Sequence, residues 1–123
     1  MNDVTILGKR QTGKSEMLIA LSAWLIREGQ KVLYVAHDMT TVREKMRRLQ
    51  QGVGDNDGYK FWWGNGDESC DHKSGGRVVF ASGRSSRGRG FNCDTLILDE
   101  VDFYPHASPD AKFVYCSPAA AET

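Results

Sequence analysis

Apolar and polar positions fall into short blocks along this 123-residue chain. Val4-Thr5-Ile6-Leu7 is a β-prone run and reads as a first strand. From Glu16 to Glu28, Met17, Leu18, Leu21, Trp24 and Leu25 recur at helical spacing. Ile19, Ala20, Ala23 and Ile26 widen that stripe, so this helix is expected to be covered on more than one side, with Gly29 ending it. Lys31 to Ala36 (KVLYVA) is a continuous apolar run of the kind found in buried parallel strands. Thr41-Val42-Arg43-Glu44 has the form of a capping box and opens a second helix through about Gln51. Val42, Met46 and Leu49 share one face of that helix.

The pattern changes between Gly52 and Gly76, a Gly-, Asp- and Asn-rich segment expected to be a mobile insertion. Within it, Tyr59 to Trp63 reads as a short strand, either a hairpin over the core or a base-stacking platform. Strand patterns return at Arg77–Ala81, Thr95–Leu98 and Lys112–Cys116, and the stretch SGRSSRGRG between the first two is too polar and glycine-rich for a regular element. Strands alternating with helices predict an α/β fold with a mostly parallel sheet covered on both faces. The length suits one domain, residues 1–123.

Sixteen basic and sixteen acidic residues cancel, so any nucleic-acid role rests on local patches and not on net charge. No apolar run is long enough to cross a membrane, and Met1-Asn2-Asp3 does not resemble a signal peptide. Three scattered cysteines, Cys70, Cys93 and Cys116, do not form a disulfide framework. A cytoplasmic location follows as the expectation. Cys70-Asp71-His72 lacks a second ligand pair at suitable spacing for zinc.

The chemistry concentrates in two places. Gly8-Lys9-Arg10-Gln11-Thr12-Gly13-Lys14-Ser15 fits the pattern G-x-x-x-x-G-K-[ST] between a strand and a helix. Gly8 and Gly13 permit a tight loop whose N–H groups turn inward, and the following helix directs its positive end at the same cavity. Such a loop holds a polyphosphate, with Lys14 reaching the β/γ-phosphates and the Ser15 hydroxyl ligating Mg2+. The second place is Leu96-Ile97-Leu98-Asp99-Glu100, an apolar strand ending in two carboxylates. Asp99 is suited to organise Mg2+ beside Ser15, and Glu100 to activate a water for attack on the γ-phosphate. ATP and Mg2+ are the implied cofactors. The basic cluster Arg43, Lys45, Arg47 and Arg48 is either a DNA-contacting patch or a solvated helix face.

On the loop KRQTGKS, the strand LILDE and the run RVVFASGRSSRGRGFNCDTLILDEVD, the chain resembles the ATPase core of the phage terminase large subunit, the motor that packages viral DNA. Arg10-Gln11 within the loop, Arg-Gly ahead of Asp99-Glu100, and Ser117-Pro118 after the last strand carry the likeness, which spans roughly Val4 to Pro118. The resemblance implies a P-loop NTPase three-layer sandwich reduced to a minimal core. The strand before Ser117 would lie between the loop-bearing strand and the Asp99 strand, leaving the first strand at a sheet edge. It also implies Lys14, Arg10 and Glu100 in catalysis, and Asp102 and Ser117 in coupling. Arg87 or Arg89, with Arg84 third, would be an arginine finger reaching a neighbouring subunit, although a DNA contact or a plain solvated loop fits SGRSSRGRG equally. Double-stranded DNA and a homo-oligomeric ring or another packaging subunit are the implied partners, with the host cytoplasm the location. An upstream adenine-recognising segment and a nuclease domain are not expected in this sequence. A helicase-like DNA-dependent ATPase fragment, or a nucleotide-binding assembly protein with negligible hydrolysis, are the alternatives.

Overall fold

The computed structural model describes residues 3–6, 14–55, 58–101, 104–107 and 111–117, with 3–6, 14, 15 and 117 as backbone only. Seven strands and two helices follow in the order β1 (Asp3–Ile6), α1 (Lys14–Arg27), β2 (Lys31–Ala36), α2 (Met39–Val53), β3 (Tyr59–Trp62), β4 (Ser69–His72), β5 (Arg77–Ser82), β6 (Thr95–Asp99) and β7 (Phe113–Ser117). They form one sheet ordered β1-β7-β6-β2-β5-β4-β3. The five strands from β1 to β5 are parallel, while β4 runs antiparallel to both β5 and β3. As expected, β7 lies between β1 and β6, and β1 is the edge among the described strands.

Alternation along the central strands sorts their side chains between two cores. Val32, Tyr34 and Ala36 of β2 join Val78 and Phe80 of β5 beneath the two helices. Leu33, Val35, Val79, Ala81, Leu96 and Leu98 point to the opposite face. Both faces are covered, but differently. The second face is packed by Phe91, Cys93, Val101, Tyr104 and Ala111, so among the described residues its outer layer is made of connections and not of helix.

Helix α1 buries Leu18, Ile19, Ser22, Leu25 and Ile26, an i, i+1, i+4, i+7, i+8 stripe rotated from the expected one. Met17 and Trp24 remain about half exposed, at 53% and 51%. Ser22 is tolerated in the stripe because its hydroxyl donates to the Ile19 carbonyl at 2.7 Å, so its buried oxygen is paired. At the end of α1, Gly29 adopts φ 89°, and the N–H groups of Gly29 and Gln30 close on the carbonyls of Ile26 and Leu25.

The second helix starts earlier than the capping-box pattern suggests. Asp38, in extended backbone, accepts from the Thr41 N–H at 2.8 Å and is the N-cap. Thr41 therefore lies inside the first turn. Val42, Met46 and Leu49 are buried as expected.

The segment 52–76 also contains more regular structure than its composition suggests. It supplies β3 and β4, a hairpin that extends the sheet past β5. Tyr59 is anchored through its hydroxyl to the Ala23 carbonyl of α1, which ties the hairpin to the helical layer.

Candidate nucleotide and metal site

Parallel strands deliver their carboxyl ends to one edge of a sheet, and ligands of open α/β folds bind outside that edge. Here Ile6 of β1 pairs with Cys116 of β7, which in turn pairs with Leu98 of β6. The end of β1 and the Asp99 end of β6 are thus level and two strand spacings apart, about 10 Å. Ser117 is registered directly beside Asp99. Helix α1 begins at Lys14, so the backbone of Lys14 and Ser15 forms its first turn. The loop residues Gly8, Lys9, Arg10, Gln11, Thr12 and Gly13 lie outside the described residues, as does Asp102.

Asp99 is buried to 3% exposure and is held from two sides. The Tyr34 hydroxyl, on the neighbouring strand β2, donates to Asp99 Oδ2 at 2.6 Å. The ammonium of Lys45, from α2, stands 3.8 Å from the same oxygen. Burial and then the adjacent Asp99 charge push the Tyr34 phenol well above its ordinary pKa, so it stays a donor. Both partners act on Oδ2, which orients the carboxylate and leaves Oδ1 as the oxygen they do not use. Among the described residues there is no cluster of three or more acidic, histidine or cysteine ligands. Mg2+ takes one or two carboxylates, keeps waters and completes its shell with substrate phosphates. Asp99 fits such a role.

Glu100 follows at the strand end with φ 58°, the one positive φ at a non-glycine residue among those described. A side chain in this left-handed region costs about 1–3 kcal/mol, and such strain clusters at functional positions. The turn breaks strand alternation, so Glu100 is not aligned with the strand positions behind it.

The structure separates the candidate arginines. Arg87 is turned inward. Its Nε donates to the Phe80 carbonyl at 3.0 Å, one terminal nitrogen donates to the Glu68 carbonyl at 3.0 Å, and the other to the Gly66 carbonyl. Burial lowers its pKa. A guanidinium engaged with three carbonyls clips the β3–β4 hairpin to β5, a structural role that the arginine-finger expectation for Arg87 did not include. Arg84 and Arg89 are exposed, and Arg89 lies 3.1 Å from His106 Nδ1. The loop around them is not a plain solvated one. Gly88 is buried, its N–H donates to the Tyr104 hydroxyl at 3.0 Å, and a Cβ there would meet Leu33 at 2.7 Å.

The basic cluster on α2 also divides. Lys45 faces Asp99 and not solvent, which removes it from a DNA-contacting face. Arg43 pairs with Asn65 and with Glu68, whose side chain is fully buried. Arg48 is held between Glu16 of α1 and Glu44. Arg47 is exposed. One residue against Asp99 was not anticipated from the sequence, Tyr34, which sat in an unbroken apolar run and gave no local signal.

The ATPase domain of the large terminase of Thermus phage P74-26, solved as a mutant, superposes with a TM-score of 0.57. It covers 98% of this chain at 16% sequence identity. The chain has the fold of a terminase ATPase domain. It spans 61% of the length of that terminase chain. No protein-family model and no curated protein matches the sequence. No helix among the described residues is long and apolar enough to cross a membrane.

Proposed function

We propose that this chain is a Mg2+-dependent ATPase acting on double-stranded DNA as part of an oligomeric packaging-type motor. The observation that carries the reading is the placement of Asp99 and Glu100. They stand at the carboxyl end of β6, one strand removed from the strand leading into the loop at Gly8–Ser15, with Ser117 beside them. The terminase ATPase fold supports it.

In this reading the loop amides and Lys14 bind the β/γ-phosphates of ATP, and Asp99 with Ser15 holds Mg2+. Bound Mg2+ neutralises charge on the phosphates. The Glu100 carboxylate accepts a proton from the attacking water as its oxygen bonds to the γ-phosphorus. The bond from that phosphorus to the bridging oxygen breaks, and ADP leaves with the electron pair. Arg10 touches the γ-phosphate from within the subunit. Arg89, with Arg84 as the second choice, stabilises the developing charge in the adjacent subunit. Ser117, beside Asp99, registers phosphate release, and Asp102 supports it. Arg47, and Arg43 at its partly exposed edge, face the DNA backbone.

The test is phosphate release with and without linear double-stranded DNA. Stimulation by DNA that weakens with added salt is the expected result. Turnover unaffected by DNA at any salt concentration would refute the motor and leave a plain ATPase.

A further inference from the structure

Lys45 does not serve the face on which its basic neighbours lie. It sits on α2 between Val42, Met46 and Leu49, all buried, and its own side chain is only 11% exposed. Burying an ammonium costs several kcal/mol, and an apolar residue of the same length would seat there more cheaply. Its charge is directed at Asp99 Oδ2 from 3.8 Å, beyond hydrogen-bond reach. The orientation of Asp99 is already set by Tyr34 at 2.6 Å on the same oxygen. Lys45 therefore acts on Asp99 mainly through its field. A positive charge beside the carboxylate assigned to a divalent cation repels that cation when it arrives.

We propose that Lys45 is an internal counter-cation of the metal carboxylate, a positioning residue whose charge, 3.8 Å from Asp99, opposes a divalent cation there and sets a low affinity for Mg2+. The proposal rests on the ATPase reading of Asp99 and adds a regulator to it. A modest metal affinity in the empty site leaves Mg2+ to enter with the nucleotide, whose phosphates outweigh the repulsion.

The experiment measures binding of a fluorescent ADP analogue to the full chain as MgCl2 is titrated, and separately in EDTA. Neutral Lys45→Met should lower the Mg2+ half-saturation at least about threefold, because a like charge is removed from a poorly solvated site. Binding in EDTA should stay within about twofold, since Lys45 is assigned no phosphate contact, and Lys45→Arg should retain the wild-type Mg2+ response. Lys45→Gln is a second neutral variant, so the result does not depend on one substitution folding. A half-saturation that moves less than threefold, or rises, in the folded neutral variants overturns the proposal. A purely structural role would lower the melting temperature without shifting the metal response. Failure of the wild-type chain to bind the analogue at all would instead overturn the nucleotide-site reading on which the proposal stands.

Discussion

The Tyr34 hydroxyl donates to Asp99 Oδ2 at 2.6 Å, joining the middle of β2 to the end of β6 inside the core. This contact fixes a carboxylate that would otherwise rotate about its own χ2. Tyr34→Phe removes the donor and leaves a buried carboxylate oxygen less satisfied. The expected loss is about 1–3 kcal/mol in urea unfolding, the cost of stranding a buried acceptor. A change below about 0.5 kcal/mol would mean that the bond contributes little net stability.

Glu100 illustrates stability given up for position. With φ at 58°, glycine would occupy its backbone conformation without strain. Glu100→Gly removes that strain together with the carboxylate and is expected to abolish ATP turnover in a chain that still unfolds cooperatively in urea. A Glu100→Gly variant with wild-type turnover would contradict the assignment.

Arg87 is a structural clip, and Arg89 is the arginine finger of the proposed motor. Arg87→Ala frees the carbonyls of Phe80, Glu68 and Gly66 and should lower stability by about 2 kcal/mol, seen as a lower urea midpoint. Arg89→Ala should leave the midpoint unchanged and suppress turnover. Activity should return when Arg89→Ala subunits are mixed with Glu100→Gln subunits, each supplying what the other lacks. No recovery at any mixing ratio would argue against action between subunits.

Cys70 gives a pH signature. Burial, followed by the neighbouring Asp71 charge, pushes its thiol from an ordinary 9.0 to about 12. The folded chain therefore holds this proton where the unfolded chain has lost it. The associated stability is complete below about pH 9 and declines as the pH rises towards 12. Alkaline unfolding should accordingly be shallower in Cys70→Ala, and the native thiol should resist alkylation near neutral pH while the unfolded one reacts. Rapid alkylation of native Cys70 would contradict its burial.

The parts legible in the sequence were those written in local pattern. KVLYVA, RVVFAS and TLILD became the buried strands β2, β5 and β6 because they are apolar on both faces. The order of β1, β7 and β6 followed from the resemblance carried by the loop and by Asp99-Glu100. What stayed hidden depended on partners distant in the chain. Ser69–His72 is too polar to announce a strand, and becomes one by pairing with β5 and β3. Ser22 broke the apolar stripe of α1 on paper but satisfies itself against Ile19. Lys45 looked like a member of a basic surface because its sequence neighbours are basic. Its inward direction is set by the helical phase that buries Val42, Met46 and Leu49.

In the proposed mechanism Glu100 activates water at a site organised by Asp99. The most direct measurement compares phosphate release and ATP binding in wild type and Glu100→Gln, with Lys14→Ala as the binding control. Glu100→Gln should bind ATP with wild-type affinity and lose turnover by about a hundredfold or more, the scale of a general base. Lys14→Ala should lose binding or turnover. Equal phosphate release by wild type and Glu100→Gln would contradict the account.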